Sequence, residues 1–171
     1  MEQEKVLFNA TCCYLLRDGK ILLGLKTQKI GKGCWNGYGG GIEAGEHPKE
    51  AVVREFAEES GGVIIDPSSM EKIGIGYFHN TKSDGETFMC IVHFYTATAW
   101  EGEVRESEEM VTPTWFDINS LPLHLMMPTD REWLPVALAH GKKIVIRSRL
   151  GPHQKELLAP SVIEFVEVFP N

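Results

Sequence analysis

The chain has 171 residues and a formal net charge of −7, and this length is sufficient for one domain with a substantial buried core. The negative charge excludes a general nucleic-acid binder, because such a protein needs a basic face. No apolar run approaches the ~20 residues of a membrane span, and the acidic start, residues 1–5, lacks a signal-peptide pattern. We therefore expect a cytoplasmic protein with neither a nucleic-acid nor a membrane partner.

The segments before residue 42 predict a β-hairpin and a glycine-rich approach to a helix. Strand formers and turn residues predict a strand at 6–16, a turn at Asp18-Gly19, a strand at 21–26, a mobile loop at 27–34 and a short strand at 35–41. The glycines at the end of this region allow tight turns and close backbone contact with a ligand. They are Gly39, Gly40, Gly41 and Gly45.

A helix with an acidic face follows. Pro48 suits the first helical position, and Gly61 suits the left-handed position after the last turn. Glu55, Glu58 and Glu59 are spaced i, i+3 and i+4, so all three share one face. Such like charges repel, and a hard divalent cation would turn this cost into binding energy. A solvated acidic face is the alternative, since most charge runs are solvated. The opposite side is apolar, with Val52, Val53, Phe56 and Ala57.

The second half of the chain predicts further strands and a second helix. Strands are expected at 63–65, 71–78, 87–99, 111–117 and 143–147, with a polar turn at 80–85, an acidic connection at 101–109 and a helix at 128–140. Residues 151–171 form a C-terminal extension, whose apolar part, 162–169, either adds an edge strand or packs on a partner. This order of elements predicts a single mixed α/β domain over residues 1–171.

The cysteines and histidines form no metal-ligand pattern. The four cysteines contain no C-x-x-C pair, so we expect reduced thiols that act as small hydrophobes. Cys12 and Cys13 would point to opposite faces of a strand. His93 is expected to be an ordinary hydrogen-bonded histidine.

Residues 40–62 resemble the Nudix box, G-x5-E-x7-R-E-U-x-E-E-x-G-U. Gly40, Glu46 and the run from Arg54 to Gly61 fill every fixed position. Only Gly62 departs, where an aliphatic residue is usual, and we expect Val63 to cover that packing. The resemblance implies a Nudix fold, a mixed β-sheet sandwiched between α-helices, over roughly residues 5–143. It also implies an enzyme that hydrolyses a nucleoside diphosphate linked to another moiety.

The same resemblance implies roles for the residues of the box. Glu55 and Glu59 would be the core metal ligands, and Glu58 a ligand or the base that activates water. The Gly40 carbonyl would be a further ligand, with Mg²⁺ as the metal and Mn²⁺ as a substitute. Arg54 would hold a neighbouring carboxylate in place, or form a surface ion pair of little consequence. Glu58, Glu59 and Arg54 are thus the expected catalytic residues.

One acid outside the box is also implied as a ligand or base. Glu109 ends the acidic part of the run 106–110 and corresponds best to that extra residue. A solvated acidic loop is the alternative. Glu43 and Glu46 are expected to be scaffold groups.

A narrower resemblance concerns the substrate. Residues 35–40, WNGYGG, look like the W-N-G-F-G-G of the mammalian-type, MutT-like oxidised purine nucleoside triphosphatases, as do 22–26, 106–110 and 127–135. Those enzymes cleave triphosphates such as 8-oxo-dGTP to the monophosphate and pyrophosphate, and so remove DNA-damaging bases from the nucleotide pool. The implied readers of the purine edge are Asn36 and Asp130. The implied lining residues are Thr11, Lys26, Phe78, Met89 and Met127, although Phe78 and Met89 would otherwise be assigned to the core.

The chain departs from this subgroup at two positions of the W-P-D-D pattern. Met127 replaces the tryptophan that stacks on the base, and Thr129 replaces the first aspartate. Methionine still offers a soft wall, but threonine cannot share a proton with Asp130. A site that hydrogen-bonds one base edge rejects analogues strongly, so preference among 8-oxo-dGTP, 2-hydroxy-dATP, dGTP and other bases stays open.

Three functions are compatible with the sequence. The first is Mg²⁺-dependent hydrolysis of purine nucleoside triphosphates, including oxidised ones. The second keeps the Nudix chemistry but acts on ADP-ribose, another nucleoside diphosphate derivative or capped RNA, the last disfavoured by the acidic charge. The third is a non-catalytic sensor, which the retained carboxylates disfavour. We expect a small-molecule nucleotide as partner, and either a monomer or a homodimer.

Overall fold

A mixed β-sheet with one helix on each face forms the frame of the molecule. The structure is a computed structural model, which describes residues 4–171. The helices are α1 (Pro48–Glu59) and α2 (Pro128–His140). The strands are β1 (Asn9–Arg17), β2 (Lys20–Lys26), β3 (Trp35–Asn36), β4 (Ile64–Ile65), β5 (Glu71–Thr81), β6 (Thr87–Ala97), β7 (Trp100–Glu101), β8 (Met110–Asp117), β9 (Lys143–Leu150) and β10 (Val162–Val166).

The main sheet has the order β10-β9-β5-β6-β1-β2-β3, and β8 also pairs with β2. β1 runs parallel to β6 and β5 runs parallel to β9, whereas the other pairs are antiparallel. β4 and β7 form a separate two-stranded sheet. The predicted mixed sheet between helices is confirmed.

β1 lies centrally and supplies both layers of the core. Cys12 and Tyr14 face the layer that contains Trp133 of α2. Cys13 faces the layer that contains Phe56 of α1. This is the alternation expected of a strand buried on both sides, and it confirms the prediction that the adjacent cysteines point to opposite faces.

The two long helices begin and end where the sequence predicts. Pro48 and Pro128 occupy their first turns. Gly61 follows α1 with φ 76°, as expected for the left-handed position. Val63 is fully buried among the residues that pack against α1. Val63 therefore supplies the packing that the unusual Gly62 cannot.

Several predicted boundaries are wrong in detail. The first strand begins at Asn9 and the strand after α1 spans only Ile64–Ile65. The segment 35–41 forms only the short β3, followed by single bridges from Tyr38 and Gly41 to β1. β5 continues to Thr81, into the segment predicted as a turn. Asn80 belongs to β5 because it pairs with Phe88 of β6 and Leu150 of β9, and its side chain is buried.

The C-terminal extension adds β10 as an edge strand of the main sheet, paired with β9. This settles the choice that the sequence left open for residues 162–169. All four cysteines are free. His93 bonds to Lys72 at 2.8 Å, so it is a hydrogen-bonded histidine as predicted. Within residues 4–171, neither helix has the length and apolar character needed to cross a bilayer.

Candidate active site

The acidic helix α1 is fixed at its start by hydrogen bonds. The His47 side chain accepts from the Lys49 amide at 3.2 Å, and the Glu50 side chain accepts from the His47 amide at 3.0 Å. This reciprocal arrangement satisfies amides that the helix itself leaves without partners. On the inner face, the rings of Phe56 and Tyr38 lie 4.9 Å apart. The helix therefore has a defined orientation, with its acidic face turned towards the glycine-rich turn.

The glycines of that turn allow the carboxylates to approach the backbone. A Cβ on Gly40 would lie 2.6 Å from the Glu55 carboxylate, and a Cβ on Gly39 would lie 2.0 Å from the Thr11 carbonyl oxygen. Both distances are too short for a side chain. The Gly39 amide also donates to Glu59 at 3.2 Å. Glycine is thus required at Gly39 by the backbone of β1, whereas a side chain at Gly40 would displace the Glu55 carboxylate.

Arg54 joins the turn to the helix. Its guanidinium donates twice to Glu46, at 2.8 Å each, and once to Glu55 at 2.7 Å. A further bond, at 3.0 Å, goes to the Gly41 carbonyl. The two bonds from Arg54 to Glu46, together with a bond from the Glu43 amide, lower the pKa of Glu46 to about 2. The geometry matches the prediction that Arg54 holds a neighbouring carboxylate, and Glu46 serves as the outer partner.

Glu59 is the most buried of the acids on this face, with a relative exposure of 5%. Burial raises its pKa to about 8, and the hydrogen bond with Glu109 acts in the same direction, whereas Lys26 lowers the pKa. Burial also raises the pKa of Glu109, but its hydrogen bonds with Lys29 and Glu59 outweigh this and lower it overall. Glu109, which immediately precedes β8, therefore lies beside the acidic helix.

The carboxylates of α1 and Glu109 border the glycine-rich turn without converging on one point, and we refer to this region as the acidic cleft. Within the part of the chain that the structure describes, no three acid, histidine or cysteine side chains form a compact ligand group. Glu55 bonds to Arg54, Glu109 bonds to Lys29 at 3.0 Å, and the Glu58 side chain is 61% exposed. The Gly40 carbonyl accepts from the Thr11 amide at 2.8 Å. The donor set consists of oxygens and suits a hard cation, and Glu58 is its most exposed carboxylate.

A cavity of about 130 Å³ lies beside this cleft. Thr11 of β1 and Lys26 of β2 line it, together with Asn36 at the end of β3. Gly39 and Gly40 also contribute, so the cavity and the carboxylates share the glycine-rich turn as a wall. The remaining walls come from β5, β6, the start of α2 and the C-terminal extension, through residues that include Phe78, Phe94, Met127, Thr129, Asp130 and Gln154.

The polar groups of the cavity are held in defined orientations. The Asp130 carboxylate accepts from the Trp133 indole at 3.0 Å. Burial raises the pKa of Asp130 to about 6. The Asn36 side-chain oxygen accepts from the Gly37 amide at 2.8 Å. Both groups therefore present fixed hydrogen-bonding atoms, which is what recognition of a flat polar ligand needs.

Of the residues predicted to bind substrate, Met89 does not line the cavity. It lies on β6 and is 40% exposed. Val92 and Phe94 of the same strand line the cavity, and side chains alternate between faces. Met89 therefore points to the opposite face of the sheet, where it borders a separate depression with Arg149 and Leu158. The resemblance therefore places the Met89 side chain on the wrong face of β6, one residue out of register.

Among the residues near the site that the sequence did not indicate, two lie in irregular segments. Lys29 pairs with Glu109, and Gln154 reaches the cavity from the extension. Both lie in irregular segments, where neither periodicity nor a motif indicates a side-chain direction. No local signal would have found them.

The chain is similar to known proteins over most of its length. The profile of the NUDIX domain matches residues 7–137. The Danio rerio oxidized purine nucleoside triphosphate hydrolase is 39% identical over 130 residues, which cover 75% of this chain and 78% of the relative. The Mus musculus protein of the same name is 33% identical over 132 residues, covering 77% and 80%. A crystal structure of a Bacillus halodurans MutT protein superposes with a TM-score of 0.76 at 25% identity, covering 92% of this chain and 98% of that chain.

Proposed function

Because the chain belongs to the Nudix family of hydrolases, we propose that it hydrolyses purine nucleoside triphosphates, oxidised ones included. The products are the nucleoside monophosphate and pyrophosphate. The relatives from Danio rerio and Mus musculus are named for oxidised purine triphosphates. The proposed role is removal of damaged nucleotides, such as 8-oxo-dGTP, before they enter DNA.

The observation that carries the proposal is the wall shared by the cavity and the acidic cleft. Thr11, Gly39 and Gly40 line the cavity, while Gly40 packs on Glu55 and Gly39 binds Glu59. A nucleotide whose base enters the cavity therefore has its phosphates directed to the carboxylates. Catalysis of phosphoanhydride cleavage depends mainly on such positioning and on charge neutralisation.

A divalent metal ion is general among Nudix hydrolases, and Mg²⁺ is the ion we propose here, with Mn²⁺ as a substitute. Its ligands would be the carboxylates of Glu55, Glu58, Glu59 and Glu109 and the Gly40 carbonyl. These are oxygen donors, which Mg²⁺ prefers. When bound, the ion neutralises phosphate oxygens and acidifies a water.

The chain's own residues supply the remaining functions. Arg54 holds Glu55 against the turn. Lys26 lines the cavity, and its charge reaches Glu59, so it lies where a triphosphate would pass. Glu58, exposed beside Arg54, is placed to take a proton from water, and Glu59 and Glu109 are the alternative bases.

Base recognition is assigned to the fixed polar groups of the cavity. Asn36 offers an amide donor and acceptor, and Asp130 offers a carboxyl that burial favours in its protonated form. Phe78 and Met127 provide flat or soft apolar walls. Thr129 adds a hydroxyl instead of a second carboxyl, so the preferred purine is set by Asn36 and Asp130.

A second candidate substrate is a nucleoside diphosphate linked to another moiety. A groove of about 1030 Å³ adjoins the cavity and shares Met127 and Gln154 with it. Lys32, Arg131 and Lys155 lie along this groove, so it would accept an anionic or polar extension. A Methanocaldococcus jannaschii protein named ADP-ribose pyrophosphatase is 30% identical over 106 residues.

We also propose that residues 1–171 act as one domain, because β9 and β10 of the C-terminal part continue the main sheet. A cytoplasmic location is proposed on the free cysteines, since reduced thiols are typical of a reducing compartment.

The reaction is tested by product identification. The purified chain is incubated with dGTP or 8-oxo-dGTP and Mg²⁺, with EDTA in parallel, and the products are separated by anion-exchange chromatography. We expect monophosphate and pyrophosphate in equal amounts, and none with EDTA. Release of diphosphate and inorganic phosphate, or turnover without metal, would contradict the proposal.

A further inference from the structure

The C-terminal extension contributes a side chain to the base cavity. After β9 ends at Leu150, the chain turns through residues 151–155, and Gln154 reaches the cavity wall alongside Asn36 and Asp130. Gln154 also borders the larger groove. It therefore lies at the mouth of the cavity, between the enclosed part and the open groove.

The backbone at this point adopts an unfavourable conformation. His153 has φ 56° and ψ 17°, and Gln154 has φ 56°. Residues with a side chain rarely adopt this left-handed region, and although histidine is found there more often than most, glutamine is not among the residues enriched in it. Such conformations persist only where surrounding contacts enforce them, and they are concentrated at functional sites.

Several hydrogen bonds enforce the turn. The Glu4 carboxylate accepts from the His153 amide at 3.1 Å and from the Ser83 amide at 2.8 Å. It thereby joins the extension to the β5–β6 hairpin. On the other side, the Gly151 amide donates to the Glu156 carbonyl and the Gln154 amide donates to the Gly151 carbonyl, both at 3.0 Å. The turn is thus held at both ends.

The Gln154 side chain itself is left free for a ligand. Within residues 4–171, the side-chain amide of Gln154 forms no hydrogen bond. It is partly buried, and a primary amide offers both a donor and an acceptor. Asn36 and Asp130 each already use one acceptor on a neighbour. Gln154 therefore adds a polar group whose hydrogen-bonding capacity is unused.

We infer that Gln154 binds the base of the nucleotide and helps to determine which base the cavity accepts. The inference rests on the proposed function, because it takes the cavity as the base site. The strained turn and its hydrogen bond to Glu4 orient the side-chain amide of Gln154 towards the cavity. Gln154 thus acts as a binding residue, and Glu4 as a positioning residue that acts through it.

The test compares Gln154→Ala and Gln154→Glu with wild type and with Gln28→Ala. Gln28 is a matched control, since it is a partly buried loop glutamine outside the residues that line the cavity. Dissociation constants are measured by calorimetry for GMP, AMP, CMP and UMP without metal. Melting temperatures of all variants are recorded to show that each is folded.

The expected result is a change in base discrimination. The ratio of dissociation constants between the worst and best base falls by roughly three- to tenfold in Gln154→Ala, the loss expected for one neutral hydrogen bond. Gln154→Glu, which lacks the donor, changes the order of the bases, and Gln28→Ala changes neither. Glu4→Gln gives a smaller loss in the same direction.

An unchanged ratio in folded Gln154 variants would overturn the inference, and so would a wild-type protein that binds all four bases equally. The proposed function fails separately. Its failure appears as absence of triphosphate hydrolysis by wild type, whereas the monophosphate binding ratios still report on Gln154.

Discussion

At the scale of single residues, two groups of side chains divide the work. The acids of α1 and Glu109 surround the cleft, and the sequence spacing of Glu55, Glu58 and Glu59 was sufficient to predict their common face. Their individual environments could not be predicted. Glu59 is 5% exposed, whereas the Glu58 side chain is 61% exposed, because packing on Gly39 and Glu109 covers only one of them.

We expect Glu58→Gln and Glu59→Gln to reduce kcat by at least about 100-fold, since each removes a carboxylate from metal binding or base catalysis. Steady-state hydrolysis of dGTP at saturating Mg²⁺ provides the measurement. Glu103→Gln, in the exposed acidic connection, is the control and retains wild-type kcat. Full activity in either helix variant would show that the acidic face is not the metal site.

The base cavity gives a prediction of a different kind. Asn36→Ala and Asp130→Ala should reduce the ratio of kcat/KM for purine over pyrimidine triphosphates by about tenfold or more, because each removes a hydrogen-bonding group of the cavity proposed to bind the base. Mg²⁺ affinity, measured separately by titration, should remain unchanged. If both variants keep the wild-type preference, the base is bound elsewhere.

At the scale of elements, the glycine-rich turn determines the geometry. Its glycines were recognised from the sequence as permissive for close approach, and the structure shows what approaches: the Glu55 carboxylate at Gly40 and the Thr11 carbonyl at Gly39. The helix bounds were predictable because prolines and Gly61 mark them. The length of β5 was not, because Asn80 and Thr81 pair with β6, and their polar side chains do not indicate this pairing.

We predict that alanine affects a different property at each of the two glycines. Gly39→Ala places a Cβ 2.0 Å from a backbone oxygen, which cannot move independently, so it should lower the melting temperature by several degrees. Gly40→Ala meets the carboxylate of Glu55 at 2.6 Å, which can rotate away. It should therefore keep most stability and weaken Mg²⁺ binding.

Thermal unfolding and Mg²⁺ titration distinguish the two variants. Gly45→Ala is a less informative neighbour, since a Cβ there meets nothing within 4 Å but φ is 78°. Equal melting temperatures for Gly39→Ala and Gly40→Ala would show that the packing of the turn does not limit stability.

At the scale of the whole molecule, α1 and α2 cover opposite faces of the sheet, and β1 connects the two sides. The family and its fold were predictable from the Nudix box because the box specifies a helix and its metal ligands. The proposed substrate site is harder to predict, since the walls of the cavity come from β1, β2, β5, β6, α2 and the extension. Met89 was misplaced and Gln154 overlooked for this reason: register and irregular turns decide where those side chains point.

Burial of Asp130 also affects the stability of the whole chain. Its pKa is about 6 in the fold and roughly 3.9 in an unfolded chain. At a pH below both pKa values, Asp130 is protonated in the folded and in the unfolded chain, so no charge is buried on folding. As pH rises through this window, the unfolded chain loses the proton first, so stability falls, by on the order of 3 kcal/mol in total.

Asp130→Asn removes this dependence and keeps an acceptor for Trp133. We expect its free energy of unfolding, from urea titration without nucleotide, to gain on wild type between pH 4 and pH 7. Asp117→Asn, at an exposed position, should parallel wild type throughout. A difference between Asp130→Asn and wild type that is constant with pH would contradict the raised pKa.

The central claim is that the cavity and the acidic cleft form one active site for purine triphosphates. It is tested most directly by kcat/KM of the wild-type chain for 8-oxo-dGTP, dGTP, 2-hydroxy-dATP, dCTP, dTTP and ADP-ribose with Mg²⁺. We expect kcat/KM for at least one purine triphosphate to exceed the values for both pyrimidines and ADP-ribose by about tenfold or more. Equal values for purines and pyrimidines, or the highest value for ADP-ribose, would contradict it.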